Sequence, residues 1–460
     1  MDIAQLGLYA FAAALTAIVL IGSLAALGNS GAASLVRRIV NVEDTEIASM
    51  LIAALYFYCT MMSYSLLRPV RDEFAVATGT RDLPKLFLAT LGTMLVITPI
   101  YGALVARMPV RKFMTVTYAG VVLMFLAFYA ALKTGFEPVI SQWAFFAWLT
   151  VWVVFGASLF WSVMADTFSS EQAKRLFGFI GVGGTVGFIS GSYVTSFFTD
   201  VIGRPGLMFI SALLVVCAAM FARLMPRVAP EGKTLAAEHK QTATIGGSPF
   251  AAAVHVFTSP YAGMIALFLF LYTFGSTVIY FAQTDIIGAA YTDRTARTEI
   301  LARLDLITQL ITAFGQMFFT ARAMRTFGLS FTIAAVPVVS ILGFAALGLT
   351  ASGIVPLVAT IMVFSVGRRA AEYMMTQPSR KVLFTVMSRE DKYKTTNFLE
   401  TFVYRAGDQL SGWGYSGLAA AGLSLAAISW IAVPVSAAFL AVGLWLAKQQ
   451  RALAKQTEQT

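Results

Sequence analysis

Four ionisable residues crowd into "SLLRPVRDEFAV" (65–76), directly after the apolar run "IASMLIAALYFYCTMMSYSLL". Arg68 and Arg71 carry planar, permanently charged forks of five donors, the group best matched to phosphate or carboxylate oxygens. Pro69 removes a backbone donor between them and is expected to break or kink the helix, aiming both guanidiniums inward at the mouth of an anion path. The competing use is interfacial: snorkelling arginines with Asp72 and Glu73 as salt-bridge partners. A second constellation, "VGRRAAEYMMTQP", sets Arg368, Arg369 and Glu372 deep in another apolar run. Arg368 and Glu372 stand four apart and share a helix face, giving either an internal pair that substrate opens or a structural clamp. The twelfth apolar run adds Glu400, Arg405 and Asp408 beside Tyr404 and Gln409. Asp408 is a candidate coupling-proton site, or the plain partner of Arg405. Ionisable groups at such depth are costly, and chains keep them for function or in pairs.

Weaker signals surround these. Gln283, Gln309 and Gln316 are candidates to line a polar path, although interhelical hydrogen bonding is the commoner use of such residues. Asp166 precedes "TFSSEQAKR" and serves either in gating or as a helix cap. "GFIGVGGTVGFISG" has the glycines of a phosphate loop but neither the Gly-Lys-Ser/Thr ending nor a preceding strand. Gly183, Gly187 and Gly191 recur every four residues, the pattern of close helix packing. Cys59 and Cys217 fall in separate apolar runs, and His239 and His255 lie far from both, so neither a metal site nor a cofactor is expected. An enzyme would need a clustered nucleophile, metal set or carboxylate pair, and the sequence offers none.

The elements that must carry these residues are membrane helices. Of 460 residues, 58% are hydrophobic and 12% charged, against about 25% charged in ordinary soluble chains. A span needs about 20 mostly apolar residues. Runs of that kind fall near 6–28, 48–67, 86–106, 113–132, 142–165, 175–199, 206–225, 261–284, 303–321, 330–350, 354–376, 396–420 and 425–447. The short alternating segments of a membrane barrel are absent from the sequence. The fold class is an all-α polytopic membrane protein of about 13 spans. Basic residues sort the loops: Arg107, Arg111, Lys112, Arg223, Arg227, Arg322, Arg380, Lys381 and Lys448 belong to one face, and the other carries less than half as many. Positive loops stay cytoplasmic, which puts the C-terminus inside, in a bacterial-type inner membrane. The net charge of +10 then reflects topology, and no nucleic acid polymer is expected as a partner.

The expected organisation is an extra N-terminal helix and loop (1–46), a six-helix bundle (47–225), a cytoplasmic linker (226–258), a second six-helix bundle (259–447) and a tail (448–460). The linker "RVAPEGKTLAAEHKQTATIGGSP" has loop composition. The halves echo one another: "TRDLPKLFLATLGTMLVITPIYGALVARMPVRKF" and "TRTEILARLDLITQLITAFGQMFFTARAMRTFGL" place their charges alike. Parallel six-helix repeats with a substrate site at their interface are one common transporter plan.

At this point the chain resembles known families. "GALVARMPVRKF" is similar to the major facilitator signature between second and third helices: Gly102, Arg107, Arg111 and Lys112 match, and Ala106 replaces its usual Asp. "YSLLRPVRDEFAV", "LFWSVMADTFSSEQAKRLFGFIGVGG" and "EYMMTQPSRKVLFTVMSREDKYKTTNFLETFVYRAGDQLSG" together resemble the nucleotide (ATP/ADP) translocases, over most of the chain after residue 50. The likeness implies a major-facilitator-type fold and nucleotide or other anion exchange, with Arg71 in the place of a nucleotide-binding lysine. The chain departs from that pattern at Glu372 and Thr396, where the family carries Lys, and around Leu149 and Ala282, where it carries acids.

The expectation is a secondary transporter for a small soluble anion, with Arg68, Arg71, Arg368, Arg369 and Arg405 supplying a positive field and Glu372, Glu400 and Asp408 pairing with them between cycles. A lipid or lysolipid transporter or scramblase on the same fold is the alternative. Oligomeric state is not encoded in these features.

Overall fold

The computed structural model describes residues 42–108, 110–135, 138–228, 256, 258–350, 354–387, 399 and 403–459. The expected first helix (6–28), most of the linker and Glu400 lie outside them. Within them the regular structure is helical. The first set comprises α1 (Ile47–Thr78), α2 (Leu83–Arg107), α3 (Val110–Lys133), α4 (Val139–Thr167) and α5 (Ser170–Val228). The second comprises α6 (Pro260–Ala290), α7 (Arg294–Gly315), α8 (Ala321–Leu349), α9 (Ile354–Ala371), α10 (Gln377–Leu383), α11 (Tyr404–Ala420) and α12 (Leu425–Gln459). Among the described residues, seven helices are long and apolar enough to cross a membrane. Helices suit hydrocarbon because they satisfy every backbone donor and acceptor within the segment.

Local chemistry sets the ends and breaks. Gly203 inside α5 and Gly328 inside α8 adopt positive φ (69° and 75°), a conformation open to glycine at little cost; α5 and α8 are each two rods meeting there. Ser259 accepts from the Ala262 N–H at the start of α6, and Asp293 accepts from the Ala296 N–H at 2.7 Å at the start of α7. Short π-helical turns, Gln316–Thr320 and Glu372–Thr376, interrupt the second set.

Each set has its own core. Tyr56, Phe125, Trp152, Phe160 and Met208 centre the first, and Phe268, Ile333 and Phe439 the second. Two further clusters join the sets: Ala75, Leu83, Leu86 and Phe146 meet Val278, Phe281 and Tyr415, while Val76 meets Ile287, Leu301 and Val366. Outside, large apolar side chains such as Ile140, Val201, Leu349 and Val363 stand exposed. The apolar window of Lys112–Lys133 is only 17% buried. That much uncovered hydrocarbon suits a lipid solvent, and the protein is an integral, multi-pass membrane protein.

Two expectations about α1 are settled differently. The helix does not stop near residue 67; it runs through Pro69 to Thr78. Arg68 therefore lies about ten residues, or roughly 15 Å, inside its end, at depth and not at a mouth. Pro69 does not end the helix, and α5 packs against the turn before it. Ser65 donates to the Gly187 carbonyl, and Thr195 donates to the Leu66 carbonyl at 2.9 Å. The glycine stripe makes that approach possible. A Cβ on Gly183 or Gly187 would fall within contact distance of the Ala54 or Tyr58 backbone oxygen, and one on Gly191 would strike Ser65. Gly187→Val should therefore destabilise the protein by about 1–3 kcal/mol or prevent its folding. Gly120→Val, where a side chain meets open space, should be nearly neutral. Thermal unfolding of both in detergent checks the pair, and equal midpoints would refute the packing role.

Candidate functional site

Between the sets lies a cavity of about 270 Å³. From the first set, Arg68, Arg71 and Asp72 on α1, Phe87 and Thr90 on α2, and Phe146 and Thr150 on α4 line it. From the second come Tyr272, Thr277, Tyr280 and Gln283 on α6, Ser365, Arg368 and Arg369 on α9, and Arg405, Asp408 and Gln409 on α11. All five arginines singled out in the sequence meet here, although more than 330 positions separate the first from the last.

Each arginine is held differently. Arg71 donates from Nε and Nη2 to Asp72 Oδ1 at 3.0 and 2.7 Å, with its guanidinium 5.0 Å from the Phe146 ring centre. Arg368, 2% exposed, donates to Ser340 Oγ and the Tyr272 carbonyl, each at 3.0 Å, and lies over the Tyr272 ring. Arg369 donates to Asp305 Oδ1. The other oxygen of Asp305 stands 3.4 Å from Arg68 Nε, off the line of a hydrogen bond, and both atoms are buried without one. Asp305 thus binds Arg369 within its own set and faces Arg68 across the cleft. Arg405 is the loosest: its nearest carboxylate, Asp408, is 4.0 Å away and accepts from Thr277 at 3.3 Å.

The remaining sequence candidates fall elsewhere. Glu372 is buried, and it reaches Arg380 at 3.7 Å instead of Arg368. The four-residue spacing keeps Arg368 and Glu372 on one side of the helix, but Arg368 is taken up by Ser340 and the Tyr272 carbonyl. Gln283 lines the cavity, whereas Gln309 does not, and Gln316 is exposed and donates to the Tyr373 carbonyl at 2.9 Å. Asp166 is exposed near the far end of α4, about 16 residues or roughly 24 Å along the helix from Thr150. It is not the cap of α5 either: Ser169 and Gln172 exchange the capping hydrogen bonds. Gly102 and Arg107 lie at the end of α2 and Arg111 and Lys112 at the start of α3, where Lys112 is exposed; the side chains of Arg107 and Arg111 lie outside the described ones. Among the described residues no three His, Cys, Asp or Glu side chains gather as a metal site would require.

Sequence reasoning missed Asp305 and the tyrosines. Asp305 is the lone acid in "LDLITQLITAFG", just inside the eighth apolar run after residue 28, and intramembrane charge was the signal that would have found it. Tyr272 and Tyr280 sit in uninterrupted apolar sequence. The Tyr280 hydroxyl lies 3.2 Å from Asp72 Oδ1, a pairing that only the packed structure reveals.

Toward the Thr78 end of α1 the cavity is shut. Arg294 of α7 grips Glu73 with two hydrogen bonds of 2.8 and 3.0 Å, while Arg204 of the first set approaches the same carboxylate at 3.6 Å. Thr80 donates to Asp285, Ser416 donates to the Thr80 carbonyl, and Gln409 donates to the Pro84 carbonyl.

No protein-family model matches the chain, and no curated protein matches it in sequence. Solved structures do. A crystal structure of the nucleoside transporter NupG (a D323A mutant) covers 88% of this chain and 99% of its own, at 13% identity and a TM-score of 0.61. The POT family transporter PepTSo covers 90% and 99%, at 12% identity and 0.58. A bacterial homologue of the human lysosomal transporter Spinster, captured inward-facing and unoccupied, covers 89% and 94%, at 14% identity and 0.50. The overlap over nearly whole chains establishes that this chain shares its fold with these transporter structures.

The triad around Asp305 makes a direct demand. Arg369→Met should cost about 3–5 kcal/mol by stranding the buried carboxylate, and Asp305→Leu should cost a similar amount. The double variant should recover most of that loss. Denaturant or thermal unfolding of the four proteins in one detergent measures the coupling, and additive losses would show that the two groups do not form one unit.

Proposed function

We propose that the protein is a secondary transporter that carries a small soluble anion across the membrane by alternating access. The carrying observation is the cavity: five guanidiniums converge between two helix sets, with Asp72, Asp305 and Asp408 as the carboxylates nearest them. An arginine cluster in a low-dielectric site is costly to leave unbalanced, and an anionic cargo balances it. The volume lies just under the roughly 300–1,000 Å³ of ordinary small-molecule pockets, and aromatic rings of Phe87, Phe146, Tyr272 and Tyr280 cover its sides. Transport of nucleosides and of peptides by proteins of the same fold supports the class and leaves this chain's cargo to its own site.

The finer reading keeps two six-helix halves with an extra N-terminal helix, about 13 spans, and a cytoplasmic C-terminus. The resemblance to nucleotide translocases favours exchange of one phosphorylated compound for another. A lipid carrier would need a lateral apolar entry and would tolerate loss of the central arginines.

Purified protein in proteoliposomes, preloaded and then offered labelled nucleotides, sugar phosphates, dicarboxylates and lysolipids, tests this. At least one soluble anion should show saturable uptake, and Arg71→Ala should reduce it by about tenfold or more, since truncating one member of a buried charged set costs about 2–5 kcal/mol. Uptake confined to lysolipids and indifferent to Arg71 would replace the anion reading with the lipid one.

A further inference from the structure

The charge inventory of the cavity narrows its cargo. Five arginines line it. Counted against them are Asp72, which Arg71 holds; Asp305, which lies between Arg68 and Arg369; and Asp408, 4.0 Å from Arg405. Glu372 does not enter this count, because it faces Arg380. Among the described residues, which do not include Glu400, two positive charges stay uncompensated with all three aspartates ionised, and protonation of Asp408 would leave three. A buried site cannot hold such an excess at low cost.

The hydrogen-bond inventory agrees. Arg68 Nε, Arg369 Nε, Ser365 Oγ and Gln409 Oε1 are buried without partners and belong to residues lining the cavity. Asp305 Oδ2 is likewise unpartnered. Donors of Arg68 and Arg369 are thus unspent beside one carboxylate that engages Arg68 only at 3.4 Å and out of line, and the Ser365 hydroxyl on the cavity lining is free as well.

We propose that the cavity selects a compact anion bearing at least two negative charges, and that Asp305 is its built-in stand-in, giving up Arg68 when the cargo's anionic group arrives. This deepens the transport reading and rests on it. A neutral nucleoside or a zwitterion would leave the excess in place. A monoanion would neutralise only part of it. The ionised oxygens of a phosphate monoester or a dicarboxylate balance the charge and accept from the free donors of Arg68, Arg369 and Ser365.

The two assignments have opposite signatures in two variants. Asp305→Asn removes one competing negative charge and should tighten binding of a doubly charged ligand. Arg405→Gln removes one positive charge from the least restrained arginine and should weaken it. A ladder on one three-carbon skeleton reads this: glycerol, glycerate, glycerol 3-phosphate and 3-phosphoglycerate, which are uncharged, singly, doubly and triply charged. Binding to the full-length protein in detergent is measured by calorimetry, and the quantity scored is the preference for glycerol 3-phosphate over glycerate. A ratio within one variant is insensitive to partial loss of folded protein.

In the parent protein glycerol 3-phosphate should bind and glycerate should bind at least about tenfold more weakly. Asp305→Asn should raise the preference by about tenfold or more, a modest yield for one charge removed a few Å from an anion. Arg405→Gln should lower it by a similar factor. An unchanged or reduced preference in Asp305→Asn overturns the stand-in role, and a parent that holds glycerate as well as glycerol 3-phosphate overturns the charge assignment. If no member binds while the proteoliposome panel shows uptake of another soluble anion, the compact dianion is wrong and transport stands. If that panel too is silent for every anion, the transport reading itself falls.

Discussion

Asp305 lies between an arginine of its own helix set and an arginine of the other, and the interior of the protein is organised around that contact. Isolated in hydrocarbon, any of the three groups would cost several kcal/mol to keep charged. Together they fix how deep α1, α7 and α9 lie relative to one another. Arg68 can sit at mid-depth only because a carboxylate meets it there. The remaining cavity charges follow the same rule: Arg71 has Asp72, and Arg368 buries its charge against a carbonyl, a hydroxyl and a ring.

Charge at depth is also why much of the site is legible in the sequence. A guanidinium in an apolar run has one low-cost destination, the interior of the bundle, so residue type and position alone nominate Arg68, Arg71, Arg368, Arg369 and Arg405. Their partners are not legible in the same way, because a partner is a matter of helix phase and helix packing. Glu372 follows Arg368 by four residues, the spacing of a helical pair, yet Arg368 is engaged by Ser340 and the Tyr272 carbonyl while Glu372 reaches Arg380. Pro69 reads as a helix end, yet the helix continues past it to Thr78. Asp305 reads as one acid near a loop, and its value lies in two arginines at far-off positions in the chain. Of the fold, the apolar runs gave the helices and the glycine spacing gave the α1–α5 packing. The turns at Gly203 and Gly328 depend on single backbone conformations, which periodicity does not record.

The aromatic side chains complete the division of labour. Phe146 and Tyr272 lie against guanidiniums that must stay charged, and cation–π contact of this kind is worth most where water is scarce. The Tyr272 ring holds Arg368 in place without neutralising it, whereas Arg71 has both the Phe146 ring and the Asp72 carboxylate. An ion pair at Arg368 would have fixed the geometry and removed that charge from the field.

A pattern in the pairing bears on how the two sets could part. Glu73, Asp305 and Asp72 each reach across the cleft and also have a partner in their own set. Glu73 meets Arg294 of the other set and Arg204 of its own. Asp305 meets Arg68 across the cleft and Arg369 at home. Asp72 accepts from Tyr280 across it and from Arg71 beside it. Separation of the sets would therefore break cross-contacts without leaving any of these carboxylates alone in a low-dielectric interior, which is the expensive outcome for a buried ion. The groups that lose a carboxylate in such a movement are Arg68, which keeps Asp72 at 3.9 Å, and Arg294, at the start of α7 and half-buried. Apolar contacts of Phe146 and Leu86 with Phe281 and Val278 would open as well, so closure on this side combines apolar area with polar cross-contacts, and each carboxylate keeps a partner when those contacts break.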